Sequence, residues 1–273
     1  MKRRFIISGK LSPARNMAID EAVFIGVSEG KSLPTIRFYD WEPPTVSCGY
    51  NQEIAKEIDC NALEKFGFGF IRRPTGVRIV LHNQEITYSV ISPISERLSG
   101  NVSESYSEIS KALAEGLRML GVNVEFEKGS LSSFHQRQTA NPCFTSSSRF
   151  ELNYQSKKIV GSAQVRKDNF LLQHGSILLN SNQSKMAYIL PKFDDKQKGY
   201  LADYLARKTI SINQILETPV SFNEAAKAFI SGFQESWSND EFYICEDIEF
   251  FEKGLTENLM ITKYLTDEWN KRK

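Results

Sequence analysis

The sequence predicts an α+β domain: mixed strands fill its middle and a helical segment closes its C-terminal part. Three observations predict it. A helical pattern opens the chain, a long central run alternates apolar and polar residues between turn signals, and helical periodicity returns over the last third.

Taken in order, residues 17 to 27 (MAIDEAVFIGV) put Ala18, Ala22 and Ile25 on one helical face, with Ile19 and Val23 beside them. Residues 35 to 41 (TIRFYDW) alternate as a strand does. The turn Glu42-Pro43-Pro44 follows, and extended structure resumes over 45 to 48. Ile54, Ile58, Leu63 and Phe66 predict helix ahead of Gly67. Strands at 68 to 73 and 78 to 81 flank the turn Pro74-Thr75-Gly76, and Ile86, Tyr88 and Val90 then alternate with Thr87 and Ser89. Ser105 and Glu108 have the spacing of a capping box before Ile109, Leu113, Leu117 and Leu120, a helix that stops at Gly121. Another strand is predicted over 122 to 126.

Residues 128 to 147 (KGSLSSFHQRQTANPCFTSS) are polar and aperiodic, a run long enough to suggest function inside a compact domain. Strands return at 149 to 154, 158 to 165 and 170 to 179, with a Gln155-Ser156 turn after the first. Helix is predicted near 184 to 190, at 222 to 237 behind a Ser221/Glu224 capping box, and at 255 to 269. The expected organisation is one domain, with the catalytic core over 30 to 250 and a helical cap behind it.

The 273 residues, 41% hydrophobic and 25% charged, have the make-up of an ordinary globular protein with a sizeable core. Thirty-four basic and 33 acidic residues leave a formal charge of +1, which argues against a nucleic-acid partner held by a global field. The start MKRRFIISGK has too short an apolar run for a signal peptide, and no stretch reaches membrane-spanning length. Cys48, Cys60, Cys143 and Cys245 lie far apart, without metal-ligand spacing; a reducing cytoplasm is the expected setting, and no metal is expected.

Cys143 sits in the polar stretch as Asn141-Pro142-Cys143-Phe144, where a thiol could ionise and meet a substrate. An inert cysteine is the alternative. Lys158 opens Lys158-Ile159-Val160-Gly161-Ser162-Ala163; it is either a solvated turn lysine, as Lys157 is expected to be, or a fixed cation beside a thiolate or acyl oxygen. Gly161, Ser162 and Ala163 are small enough to let a ligand or another backbone approach. Arg72-Arg73-Pro74-Thr75-Gly76 is either a charged hairpin or an anion-holding turn. His82, His135 and His174 each fit a hydrogen-bonded or solvated histidine, and a Cys143–His dyad stays open. No nucleophile elbow, Walker loop or dinucleotide fingerprint is present.

The strings NMAIDEA (16–22), PTIRFYDWEPPTVSCGYNQ (34–52), RRPTGVRIVLH (72–82), ITYSV (86–90), PCFTSSSRFEL (142–152), KKIVGSAQ (157–164), LLQHGSILL (171–179) and KYLTDEWN (263–270) occur in this order. Together they resemble the lipoate-protein ligase, octanoyltransferase and biotin-ligase superfamily, and within it the octanoyltransferase branch. The resemblance implies a mixed-sheet fold of the biotin/lipoate-ligase type with an acyl tunnel. It implies that Cys143 takes the acyl chain as a thioester and that Lys158 lowers the thiol's pKa and contacts the acyl carbonyl. Arg73, Thr75, Gly76 and His82 of the turn region would line the pocket, as would Gly161 and Ser162, with His174 and Gly175 packed at the same site. The chain departs from the family's pattern at Val77 and Ile79, where a glycine and a small residue are usual; this bears on donor preference.

By this resemblance the expected donor is octanoyl-acyl carrier protein. The expected acceptor is a lysine of a lipoyl-domain protein such as the glycine-cleavage H protein. No cofactor is expected, because exchange between thioesters needs no ATP. The rival readings are an ATP-dependent lipoate ligase, an amidotransferase moving octanoyl between lipoyl domains, and a non-catalytic acyl- or carrier-binding protein.

Overall fold

A computed structural model describes residues 1–76, 78–126 and 151–272. Cys143, His135 and the rest of the polar stretch lie outside the described residues, as does Val77. The chain begins with β1 (Lys2–Leu11), α1 (Pro13–Ser28), β2 (Thr35–Trp41), β3 (Thr45–Cys48), α2 (Ile54–Glu57) and α3 (Cys60–Phe66). It continues through β4 (Gly69–Arg72), β5 (Val80–His82), β6 (Glu85–Pro93), α4 (Val102–Met119), β7 (Glu125–Phe126), β8 (Leu152–Tyr154), β9 (Lys157–Lys158), β10 (Val160–Lys167) and β11 (Phe170–Leu178). After a 3₁₀ turn at Ser184–Ile189 come α5 (Asp195–Lys208), α6 (Ile212–Ile215), α7 (Phe222–Ser236), β12 (Glu241–Cys245), α8 (Phe250–Leu259), a π turn at Met260–Tyr264 and α9 (Asp267–Asn270).

The main sheet has the order β10-β11-β6-β2-β1-β12. Its β10, β11, β6 and β2 pair antiparallel, whereas β1 runs parallel to both β2 and β12. Strand alternation sends β2's Ile36 and Phe38 to one face, where they meet Phe229 and Phe233 of α7 and Ile109, Leu113 and Leu117 of α4. Tyr39 and Trp41 of the same strand go to the other face, against Met17 and Ala18 of α1. The α8 helix and π turn pack against α1 and also reach the sheet, through Glu252 to Arg4 of β1 and Tyr264 in the cluster of Tyr39 and Trp41. A second sheet, ordered β4-β3-β5, packs with α3, α5 and the 3₁₀ turn into a separate apolar cluster.

Several sequence expectations change. The strands at 68 to 73 and 78 to 81 are not paired to each other: β3 lies between β4 and β5, parallel to the first and antiparallel to the second. The helix read through Ile54 to Phe66 is two helices, because Asp59 caps a new one by accepting hydrogen bonds from the Asn61 and Ala62 amides. The capping box of α4 is Asn101/Glu104 rather than Ser105/Glu108. Asn101 accepts from the Ser103 and Glu104 amides at 2.8 and 3.1 Å, and Glu104 accepts from the Asn101 amide at 2.7 Å. Ser105 is buried one turn further in, bonded to the Val102 carbonyl. Only Glu125–Phe126 of the 122–126 stretch is strand, and the C-terminal helix breaks at the π turn.

Strands β1 and β12, and helix α5, are absent from the sequence reading. In β1 the reason is chemical. Arg3 and Arg4 are buried, and they pair with Asp240 and Glu252 from the far end of the chain. A charge that finds a partner can occupy a core strand.

Candidate active site

A cleft opens between the two sheets. Its walls come from β2 (Tyr39, Trp41), the turn after β4 (Arg73), β5 (Val80, His82), β6 (Thr87), β10 (Gly161 to Ala163) and β11 (His174 to Ser176), with Met17 of α1 at the base. Of the expected site residues, Arg73, His82, Gly161, Ser162, His174 and Gly175 thus share one cleft. Thr75 and Gly76 touch it through their neighbours.

The turn carrying Thr75 and Gly76 is held from several sides. Arg73 donates to the Ser47 carbonyl at 3.0 Å, to the Ser47 hydroxyl, and to the Arg78 carbonyl at 2.7 Å. Gly76 takes φ +74°, where a side chain would be strained and its Cβ would lie 3.0 Å from the Arg73 guanidinium. The Thr75 hydroxyl shares a hydrogen bond with His174 Nε2. The guanidinium the sequence offered as an anion holder is therefore engaged with protein oxygens. Arg72 is committed elsewhere, to the carbonyls of Gly49, Tyr50 and Gln52 and of the C-terminal Trp269, Asn270 and Arg272.

His174 is tied to α1 through its other nitrogen, Nδ1, which lies 3.8 Å from Asp20 Oδ2. Burial lowers the His174 pKa, as does the nearby Arg73, against the pull of Asp20, which favours the neutral ring. Asp20 itself is buried. It accepts from Arg37 at 2.9 Å, from the Tyr39 hydroxyl at 2.9 Å and from the Ser89 hydroxyl at 2.9 Å. Burial opposes its ionisation, but Arg37 and His174 hold the carboxyl below its ordinary value.

His82 is fixed in the same manner. Its Nε2 meets the Ser47 hydroxyl at 2.6 Å and its Nδ1 meets Glu85 Oε1 at 2.7 Å, while the ring stacks on Trp41 at 4.3 Å. Glu85 also accepts from the Thr87 and Ser176 hydroxyls. Both cleft histidines thus have both ring nitrogens facing protein groups. They act as struts, and neither offers a vacant nitrogen to a thiol.

The small-residue strand is required by contact. Ser162 of β10 pairs with Gly175 of β11, and Gly175 pairs with Tyr88 of β6. A Cβ on Gly175 would stand 2.5 Å from the Ser162 hydroxyl, 2.7 Å from the Gly161 carbonyl and 2.7 Å from the Tyr88 ring. The Tyr88 hydroxyl donates to Ser162 at 2.7 Å and accepts from Gln173 at 2.8 Å, and burial pushes its pKa up to about 12. Gly175→Ala is expected to force β10 away from β11 and to cost about 1–3 kcal/mol. Thermal unfolding checks this, and an unchanged melting temperature would show that the strands yield freely.

Lys158 is no surface lysine. It is buried in β9 and donates to Glu151 Oε1 at 2.8 Å, with both side chains only 6% exposed. Its backbone carbonyl accepts from the Ile210 amide at 3.1 Å, just after Thr209, the residue paired with Lys158 across a β-bridge. Lys157, next to it, is half-buried. Lys158 does not itself line the cleft, but it lies three residues before Gly161, the first residue of β10 that does.

Asp20, Ser47, Glu85 and Glu151 escaped the sequence reading. Asp20 left a trace there as a carboxylate amid an apolar helix, and Glu85 as an acid three residues after His82. Among the described residues no cluster of three or more His, Cys, Asp or Glu could hold a metal ion, and no helix is long and apolar enough to cross a membrane.

Comparison with known proteins agrees with this architecture. The family model described as "Lipoyl protein ligase A/B catalytic domain" matches residues 12–234. A protein named "Octanoyltransferase LipM" from Anoxybacillus flavithermus is 41% identical over 98% of this chain and 97% of its own. The protein of the same name from Bacillus subtilis is 40% identical, with the same coverage of both chains. Among solved structures, the bipartite lipoate protein ligase described with its E2 lipoyl domain from Thermoplasma acidophilum superposes with a TM-score of 0.82. It is 23% identical, and the match covers 99% of this chain and 96% of that one; at this identity the likeness speaks for the fold. Matched along nearly its whole length, this chain belongs to the family of the lipoyl protein ligase A/B catalytic domain, among the octanoyltransferases of the LipM type.

Proposed function

We propose that this acyltransferase moves an octanoyl group from octanoyl-acyl carrier protein through a thioester on Cys143 to a lysine of a lipoyl-domain protein, in lipoate biosynthesis. The glycine-cleavage H protein is the proposed acceptor. The observation that carries the reading is the near full-length identity to octanoyltransferases in a chain that has a cysteine at Asn141-Pro142-Cys143-Phe144.

In the first step the Cys143 thiolate attacks the donor's thioester carbonyl. The S-octanoyl bond to the enzyme forms and the carrier's thiolate leaves. In the second, the neutral acceptor amine attacks the enzyme thioester, the amide forms and the cysteine thiol is released. Lys158, a buried cation at the head of the cleft's small-residue strand, would stabilise the thiolate and the negative charge on the acyl oxygen. Arg73, Thr75, Gly76, His82 and His174 would shape the pocket, with Gly161, Ser162 and Gly175 giving the acyl chain room. Transfer of an eight-carbon chain buried at about 0.8 kcal/mol per CH₂ gives ample basis for selecting length.

Intact mass after mixing with octanoyl-acyl carrier protein, without acceptor, tests the reading; an adduct of one octanoyl group on the enzyme is expected. The transfer should also run without ATP or magnesium, since the donor is already activated. Strict dependence on ATP with free octanoate or lipoate would move the protein to the ligase class.

A further inference from the structure

We infer that the outer face of α5 is the docking surface for an acidic acyl-carrier protein that delivers the donor group. The inference rests on the octanoyl-transfer reading above and adds where the donor is met.

Charge in this chain balances to +1, but residues 185 to 208 carry Lys185, Lys192, Lys196, Lys198, Arg207 and Lys208 against Asp194, Asp195 and Asp203. Asp194 caps α5 by accepting from the Gln197 amide at 2.8 Å. On α5, Ala202 and Leu205 turn inward to the second core. Lys196, Tyr200, Asp203, Tyr204 and Arg207 follow at helical spacing on the opposite side, all exposed. Tyr200 is 64% exposed, with the Lys196 ammonium 5.9 Å from its ring. A core-forming aromatic would be buried; an exposed tyrosine among cations has the composition of a binding surface, aromatic for contact area and basic for attraction.

The face also ends where the chemistry is proposed. Thr209 follows α5 directly and pairs with Lys158 across a β-bridge, and the Thr209 side chain is buried beside it. A carrier seated along α5 would therefore lie against the element that holds the lysine. From there a flexible thioester arm could reach inward. An acidic partner fits because its charge opposes this patch, which would raise the encounter rate in a salt-dependent manner.

The test compares the wild-type chain with Lys196→Glu/Arg207→Glu and with the milder Lys196→Gln/Arg207→Gln, which keeps helix-favouring side chains should the first fail to fold. KM and kcat are measured with octanoyl-acyl carrier protein and with octanoyl-N-acetylcysteamine, a small uncharged thioester, alongside direct titration of the carrier. The charge reversal should raise the carrier-donor KM by about tenfold or more, flatten its salt dependence and leave kcat near wild type. Values for the small thioester and the KM for the acceptor should not move. An unchanged carrier KM, an equal loss with the small thioester, or a shift in the acceptor's KM instead would overturn the inference. If the wild-type chain transfers from neither donor, the octanoyl-transfer reading fails, and carrier titration still decides whether the α5 face binds an acidic carrier.

Discussion

Cys143→Ala is expected to reduce octanoyl transfer by about a thousandfold or more, because removing a covalent nucleophile leaves only binding and positioning. The octanoyl mass adduct should vanish with it. The other three cysteines supply the controls. Cys48 lies buried in β3 with its thiol pKa pushed up by burial, so it is a poor thiolate at neutral pH. Cys60 is exposed at the start of α3 and Cys245 is half-buried in β12, both away from the cleft's walls. Alanine at any of the three should leave chemistry intact, though Cys48→Ala removes a packed side chain and should lower stability. Comparable turnover by Cys143→Ala would end the thioester mechanism and require direct transfer or an adenylate. Both cleft histidines, His82 and His174, have their nitrogens turned to protein groups, which favours a cation over either of these rings as the group that assists the thiol.

Lys158 carries the second large effect, and its buried partner changes how it has to be tested. A lysine close to Cys143 would favour the thiolate and bring the thiol pKa below its free value of about 8.5. In Lys158→Met, acylation at pH 7 should slow by more than about tenfold. It should recover in part as pH rises and the thiolate fraction returns. The same substitution also breaks the buried ion pair with Glu151, however, and breaking such a pair from one side costs about 3–5 kcal/mol. Slow turnover could then come from a damaged fold. Lys158→Met/Glu151→Gln removes both charges and should regain most of the stability. If acylation stays slow in the refolded double variant and quickens with pH, Lys158 acts on the reaction. If rate returns together with stability, the pair is a structural tie only. Lys157→Met, which changes the total charge by the same amount at a half-buried neighbour, should do little in either assay.

Much of this protein is local and was legible as such. The strand Thr35–Trp41 announces itself by alternation, the strand expected over 170 to 179 forms as Phe170–Leu178, and the Gln155-Ser156 turn is realised with positive φ at both residues. The Ser221/Glu224 box caps Phe222–Ser236 as its spacing predicts. Gly161, Ser162 and Ala163 do line a cleft, because smallness is a property of the residues themselves. By itself, then, the sequence determined the α+β class, the small-residue strand and the chain-long motif order that marks the family. The tertiary structure decided the rest, wherever the meaning of a residue depends on a partner far away in the chain. Nothing near Arg3 and Arg4 in the chain accounts for their burial, which rests on Asp240 and Glu252 from more than two hundred residues on. The same holds for Asp20, Arg37 and His174, and for Lys158, which the sequence left between a turn lysine and a fixed cation and which the fold buries against Glu151. Periodicity reports on neighbours along the chain. Burying a charge or choosing which strands pair depends on groups that only folding brings together.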